Sequence, residues 1–202
     1  MEIVLHEIII ITKTKIMKKI ILCISAFFIL TIIHSQEKLT INTQKSTIKW
    51  IGEYTFYFGG HDGFINFKEG YFIKTNDIIT GGEFIIDMHS ITNTDIKKKK
   101  ANDGLVQHLK EPDFFDVNKY PLAKLVITKT EYFEDKTMRI HANLTLKGIT
   151  KPIKFNATPN YLNKTLKTKF KIDRRDWNVS YKSKMKNSAI SDAIGFEVSI
   201  KI

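Results

Sequence analysis

The stretch Met138-Arg139-Ile140-His141-Ala142-Asn143-Leu144-Thr145-Leu146 alternates apolar and polar residues without a break. Successive side chains of a strand point to opposite faces, so this pattern makes one apolar face and one wet face. The same period of two recurs on both sides. Toward the N-terminus it is carried by Ala123, Leu125 and Ile127, by Phe84, Ile86 and Met88 opposing Glu83, Asp87 and His89, by Phe64 to Lys74, and by Ile48 to Phe58. Toward the C-terminus it is carried by Ile153, Phe155 and Ala157, by Leu166, Phe170 and Ile172 opposing Lys167, Lys169 and Lys171, by Val179, Tyr181 and Met185, and by Ile194, Phe196, Val198, Ile200 and Ile202. Turn-forming clusters separate most of these runs: Gly59-Gly60, Lys68-Glu69-Gly70, Thr75-Asn76-Asp77, Glu134-Asp135-Lys136, Pro159-Asn160 and Asn187-Ser188. About nine short strands with tight turns predict an all-β, antiparallel fold. A barrel of about eight strands is expected, because closure removes exposed edges and leaves an interior just wide enough for side chains or one slender ligand.

One stretch departs from the alternation. Thr94 to Tyr120 contains Lys97-Lys98-Lys99-Lys100, then Asn102-Asp103-Gly104, then Leu105, Val106 and Leu109 at helical spacing, then Pro112-Asp113-Phe114-Phe115. This predicts a long connection with one short helix that starts near Asp103 and stops before Pro112, which can neither donate a backbone hydrogen bond nor continue the helix. Long connections on compact β domains often serve as lids or binding elements.

The chain has 202 residues, of which 43% are hydrophobic and 26% charged, a composition able to bury a core and unlike that of disordered chains. Met17-Lys18-Lys19 is followed by a nearly unbroken apolar run from Ile20 to Ile33 and then by His34-Ser35-Gln36. A positive start, a short apolar run and a small residue at the exit predict a secretory signal peptide over residues 1–35, with translation starting at Met17, cleavage after Ser35 and a barrel domain over residues 36–202. The run is shorter than the roughly 20 residues of a membrane span. The single cysteine, Cys23, falls inside it, so the exported form, periplasmic or secreted, would hold no disulfide. The net charge of +11 comes almost wholly from lysine, since Arg139, Arg174 and Arg175 are the only arginines. Bidentate phosphate or base recognition favours the guanidinium fork, so the charge reads as a solvated basic surface.

Several segments together carry a resemblance. They are Gly60-His61-Asp62-Gly63-Phe64-Ile65, Gly81-Gly82-Glu83-Phe84-Ile85-Ile86-Asp87-Met88, His108-Leu109-Lys110-Glu111-Pro112-Asp113-Phe114-Phe115-Asp116-Val117 with Lys119-Tyr120-Pro121, Leu144-Thr145-Leu146-Lys147-Gly148-Ile149-Thr150-Lys151-Pro152, and Ile172-Asp173-Arg174-Arg175-Asp176-Trp177. In order and spacing they resemble the YceI-like family of periplasmic lipid-binding proteins, also called the polyisoprenoid-binding family, from about Lys45 to Ile202. The resemblance implies a lipocalin-like antiparallel barrel with a long apolar tunnel, and a guest that is an isoprenoid chain, a quinone or a fatty-acid-like amphiphile. One departure is Asn178, where the family commonly has glycine; asparagine also tolerates a left-handed backbone.

The expected walls are Trp50, Phe56, Phe58, Phe84, Ile86, Met88, Leu125, Ile127, Leu144 and Leu146, with Leu105, Leu109, Phe114 and Phe115 as mouth or lid. The same residues would fill the centre of a solid barrel. His61 and Arg174 are the expected donors to a polar head group, the alternative for Arg174 being a pair with Asp173 or Asp176. No catalytic residue, metal or cofactor is expected, apart from a bound isoprenoid or other lipid. The expected partner is a hydrophobic small molecule or lipid, with transient contact of Lys97 to Lys100 with a membrane surface, a homodimer left open, and no nucleic acid. Two other classes compete with this reading. An envelope enzyme acting on a small amphiphile would draw on His61, His89, His108 and His141, yet there is no His-x-x-x-His helix and no Gly-x-Ser-x-Gly elbow. A nucleic-acid-binding barrel would use Phe64 to Phe67 and Tyr71 to Ile73, and the leader argues against it.

Overall fold

The computed structural model describes residues 36–55, 58–179 and 190–202, together with Lys13 and Lys15. The chain divides into two units, Met1–Ser35 and Gln36–Ile202, and the second is described here. Its strands are β1 (Gln36–Thr40), β2 (Thr47–Tyr54), β3 (Gly60–Thr75), β4 (Ile78–Asp87), β5 (Leu122–Tyr132), β6 (Met138–Leu146), β7 (Ile149–Asn160), β8 (Thr165–Asp173) and β9 (Ile190–Lys201). One helix, α1 (Lys99–Lys110), lies in the connection between β4 and β5. All pairings are antiparallel, in the order β3-β2-β9-β8-β7-β6-β5-β4, and β4 pairs back to β3, so eight strands close a barrel. The ninth, β1, adds to β3 outside the circle, with Gln36 opposite Thr75 and Thr40 opposite Tyr71.

Alternation drives this arrangement. In β6, Met138, Ile140, Ala142 and Leu146 are buried while Asn143 is exposed, and in β8 Leu166 and Ile172 are buried between exposed Lys167, Lys169 and Lys171. Hairpin turns fix the register. Asn76 and Asp77 (φ 50° and 66°) and Lys147 and Gly148 (φ 50° and 74°) each form two-residue turns with both residues left-handed, the geometry that matches strand twist. Lys68-Glu69-Gly70, which reads as a turn in the sequence, is instead a bulge inside β3, where the register against β4 shifts between Phe67 and Glu69. Bending one long strand lets it pair with β2 at one end and β1 at the other.

Strands β2, β4, β6 and β8 end at the same rim as the β4–β5 connection; the turns at residues 76–77, 133–137 and 161–164 mark the other end. That other end is filled. Ile79, Met138 and Ala157 are at most 2% exposed. A second bulge shifts the β3–β4 register between Ile73 and Lys74, and the neighbouring Ile79 backbone is satisfied by side chains: its amide donates to the Tyr132 hydroxyl at 2.8 Å, which donates back to the Ile79 carbonyl at 3.0 Å. β7 and β8 pair only between Ala157–Asn160 and Thr165–Thr168. Beyond that, Phe155 and Phe170 stack at 4.4 Å, and Trp177, 1% exposed, closes the seam with its indole donating to the Leu144 carbonyl at 3.1 Å.

Three expectations are corrected. α1 begins at Lys99 rather than near Asp103, because Lys99 pairs with Asp103 one turn on at 2.6 Å and Asn102 ties that turn to the Asn93 and Ile96 carbonyls at 3.0 Å each. Val179 is not in a strand: it is wholly buried after a 3-10 turn (Arg174–Trp177), while Tyr181 and Met185 lie outside the described residues. β2 stops at Tyr54, short of Phe58. Asn178, in contrast, takes the left-handed conformation its position calls for (φ 55°, ψ 31°).

After β4 the chain continues along the β3 edge that β4 has left. Thr92 N donates to Phe64 O and Thr94 N to Asp62 O, both at 2.9 Å, and the Trp50 indole donates to Thr92 O at 2.9 Å. Gly63 permits this close approach, since a Cβ there would stand 1.9 Å from the Thr92 carbonyl oxygen. Gly63→Ala is therefore expected to lower the unfolding free energy by about 1–3 kcal/mol through overpacking, measured by urea denaturation. An unchanged midpoint would show that residues 92–94 are not seated on β3.

Candidate functional site

Inside the barrel is a cavity with about 190 Å³ of room for water centres. That is many times the roughly 10–15 Å³ one water needs, and a cavity walled by apolar groups gives water too few partners to stay. Its walls come from every strand of the circle. Ile48 and Trp50 belong to β2, Ile65, Phe67 and Phe72 to β3, Phe84 and Ile86 to β4, Ala123, Leu125 and Ile127 to β5, and Ile140, Leu144 and Leu146 to β6. The circle is completed by Phe155 on β7, Leu166, Phe170 and Ile172 on β8, and Ile194, Phe196, Val198 and Ile200 on β9.

Two groups of rings explain why this interior stays open. Phe84 meets Phe72 edge-on at 4.9 Å and Phe67 at 6.0 Å, all on β3 and β4. Phe170 stacks on Phe155 at 4.4 Å and on Phe196 at 5.4 Å, along β7, β8 and β9. The groups stand nearly opposite in the strand order, and each ring braces its neighbour along the wall. Rings satisfied in this way do not need partners across the barrel.

At the rim, α1 contributes Leu105 and Leu109, one turn apart, and the following turns contribute Phe114 and Phe115. Adjacent residues of a strand could not both face the cavity. These two are not in a strand: Phe114 N bonds to Glu111 O and Phe115 N to Leu109 O, and in that turn both rings reach the wall, 6% and 9% exposed.

The polar side of the rim is a chain of three groups. Tyr54 and His61 line the cavity, with the tyrosine oxygen 2.9 Å from His61 Nε2. His61 Nδ1 is 2.8 Å from Asp95 Oδ2, and Asp95 Oδ1 accepts from the Asp62 amide at 3.0 Å and from the Asn93 side chain. Asp95 sits on the segment that Gly63 admits. Burial pushes the Asp95 carboxyl up, but bonds from His61, the Asp62 amide and Asn93 outweigh it and hold the group at about 2.

Of the sequence-predicted residues, Trp50, His61, Phe84, Ile86, Met88, Leu105, Leu109, Phe114, Phe115, Leu125, Ile127, Leu144, Leu146 and Arg174 line the cavity. Phe56 lies outside the described residues. Phe58 is corrected: it is fully exposed, because β2 ends at Tyr54 and the chain has left the wall before reaching it. Arg174 is corrected in its expected availability: 6% exposed, it donates to the Ser191 and Val179 carbonyls and to Asp192 Oδ1, which leaves it a brace between the 3-10 turn and β9. Its carboxylate is Asp192, while Asp173 pairs with Arg175. Sequence reasoning missed Tyr54 and Asp95, which carry no local signal, and Phe67 and Phe72, whose opposite parity only the bulge in β3 reconciles; Phe155, Phe170 and Phe196 had inward parity but were not named as walls.

A family model described as the YceI-like domain matches residues 39–202. The chain belongs to the YceI-like family. A crystal structure of Burkholderia cenocepacia BcnA superposes with a TM-score of 0.65 at 18% identity, over 79% of this chain and 98% of that one, a likeness of fold. A UPF0312 protein of Pseudomonas putida is 46% identical over 54 residues, 27% of this chain and 28% of that protein, and one from Pseudomonas fluorescens is 41% identical over the same length. The chain thus aligns with little more than a quarter of the curated relatives' length.

Asp95 also sets an acid dependence. Its folded value lies below the unfolded carboxylate value of about 3.9, so its contribution to stability is complete above that value and is lost as pH falls through about 2. Asp95→Asn is expected to flatten part of the loss of stability between pH 5 and pH 2, read from denaturation midpoints. Asp173, held at about 2 chiefly by Arg175, titrates in the same window and remains in the variant. Superimposable profiles would contradict the assignment.

Proposed function

We propose that this protein is an exported carrier or sequestering protein that takes a long-chain apolar amphiphile, an isoprenoid, quinone or fatty-acid-like molecule, into the barrel without chemical turnover. The single observation that carries this reading is the open interior walled by apolar side chains from all eight strands of the circle. An apolar chain entering it is held at about 0.8 kcal/mol per buried CH₂, so around ten such groups support micromolar-class binding after the costs of association. Holding a chain by area requires no reacting group, so the reading includes no catalytic residue and no cofactor. Membership of the YceI-like family and the BcnA-like fold support a binding barrel. The apolar run of the first 35 residues supports export to the periplasm or beyond. The exposed Lys97 to Lys100 run at the start of α1 supports transient contact with an anionic lipid surface.

Two measurements test the reading. Native mass spectrometry of protein purified without detergent, followed by solvent extraction, is expected to find one amphiphile in near-equal amount. A barrel that arrives empty and takes up no isoprenoid, quinone or fatty acid overturns it. Ile86 lines the cavity while remaining partly accessible, so Ile86→Glu is expected to abolish uptake by placing a charge on the wall. Undiminished uptake by a folded variant would remove Ile86 from the binding surface.

A further inference from the structure

We infer that the closed end of the barrel selects the guest by chain length, and that the Met138 side chain is the stop against which the chain end comes to rest. The inference deepens the carrier reading and rests on it. On β6 the cavity wall descends through Leu146 and Leu144 to Ile140, and on β8 through Ile172 and Phe170 to Leu166. The next inward residue of β6 is Met138, which is fully buried and no longer lines the cavity. Its neighbours in register are Ala157 on β7 and Tyr132 on β5, and the Tyr132 hydroxyl is turned to the Ile79 backbone. Ala157 offers a single methyl, so the bulk that meets a chain descending this wall is the methionine. The seam between β7 and β8 gives no way round it, because Phe155 and Phe170 stack across it at 4.4 Å.

Strand geometry sets the scale. At about 3.4 Å per residue and a barrel tilt of about 40°, the rows from Ile140 to Leu146 and from Leu166 to Ile172 give a depth of about 15 Å. The longest row, Ile190 to Ile200 on β9, runs on past the rim and gives about 25 Å. An extended carbon chain, with bonds of about 1.5 Å at about 111°, advances about 1.25 Å per carbon, so the slot takes about 12 to 20 backbone carbons, or about three to five isoprene units. The lining is almost wholly apolar, so each CH₂ that enters adds about the same factor, roughly fourfold in affinity, until the chain end touches the floor. Carbons beyond that length stay outside the rim and add nothing.

The probes are n-alkanoic acids from eight to twenty-four carbons and all-trans prenols from two to nine isoprene units, with binding followed by tryptophan fluorescence, since Trp50 lines the cavity. The head group is constant within each series, so differences report the chain alone. Affinity is expected to rise about fourfold per carbon of the acids and to level off between about 12 and 20. A rise that continues to the longest probes overturns the stop. Met138→Ala removes the side chain beyond Cβ and is expected to move the levelling length up by about two or three carbons, with shorter chains bound as before. A methionine with a purely structural role would weaken every length together; that result, or an unmoved levelling length, overturns the assignment to Met138. The unaltered protein gives a reading free of folding effects. An acid of the levelling length with a terminal diazirine, photolysed in the complex, is expected to attach at Met138, Ile140 or Leu166, and attachment at Leu105 or Phe114 on the rim overturns the stop. Failure of both series to bind at any length overturns the carrier reading itself, which separates the two failures.

Discussion

The architecture depends on one strand pairing along both of its edges. β3 takes β2 and β1 on one edge and β4 on the other, so the sheet returns to its beginning. An open sheet of this length would leave two unpaired edges and could lay its apolar face against itself. Closure instead turns that face inward all round, about an interior that is packed at one end and open toward the rim. The bulge at Lys68 is what allows β3 to do this, because a straight strand of sixteen residues could not follow the circle and also leave it to meet β1.

A closed barrel is not by itself a hollow one. Eight strands leave an interior that side chains can fill, and at one end they do, with Ile79 and Met138 behind the Tyr132 hydroxyl. Toward the rim the interior opens because the bulky groups are aromatic and lean on neighbours in their own wall. Aliphatic residues at Phe84 and Phe170 would find their contacts by reaching inward. Rings find them at 4.9 Å and 4.4 Å along adjacent strands, and the centre stays vacant. The seam between β7 and β8, where backbone pairing stops after four residue pairs, is held by the same stacked rings and by Trp177.

How much of this was legible in the sequence follows from the range of each interaction. Period-two alternation is local, so β4 to β9 and the inward parity of their residues could be read directly; Phe155, Phe170 and Phe196 were marked in this way even where they were not named as walls. Turn chemistry was legible where both residues are left-handed, as at Asn76-Asp77, and misleading at Lys68-Glu69-Gly70, where the same residue types serve a bulge. β1 was invisible: its exposed Gln36, Glu37, Lys38 and Thr40 have no alternation, because it packs on the outside of a closed circle. Phe58 was misplaced because the alternation of Ile48 to Phe58 runs past the end of β2, and periodicity does not say where pairing stops. Arg174 was misjudged for a different reason. Its partners Ser191 and Asp192 are on β9, and no spacing rule connects a 3-10 turn to a strand that begins sixteen residues after it starts.

The chain of Tyr54, His61 and Asp95 depends on the long connection that follows β4. An apolar wall offers contact in proportion to its area, and area alone fixes no orientation. In apolar pockets a few placed polar groups fix orientation. A barrel strand alternates in and out, so placing a second polar group behind a first on the same strand would turn it toward solvent. Asp95 reaches the far side of His61 from outside the circle, on a segment that β3 accepts only because Gly63 has no side chain there and that Trp50 and Asn102 pin from either side. The connection that looks like an interruption of the β pattern thus holds the histidine, and the histidine in turn holds the tyrosine at the rim.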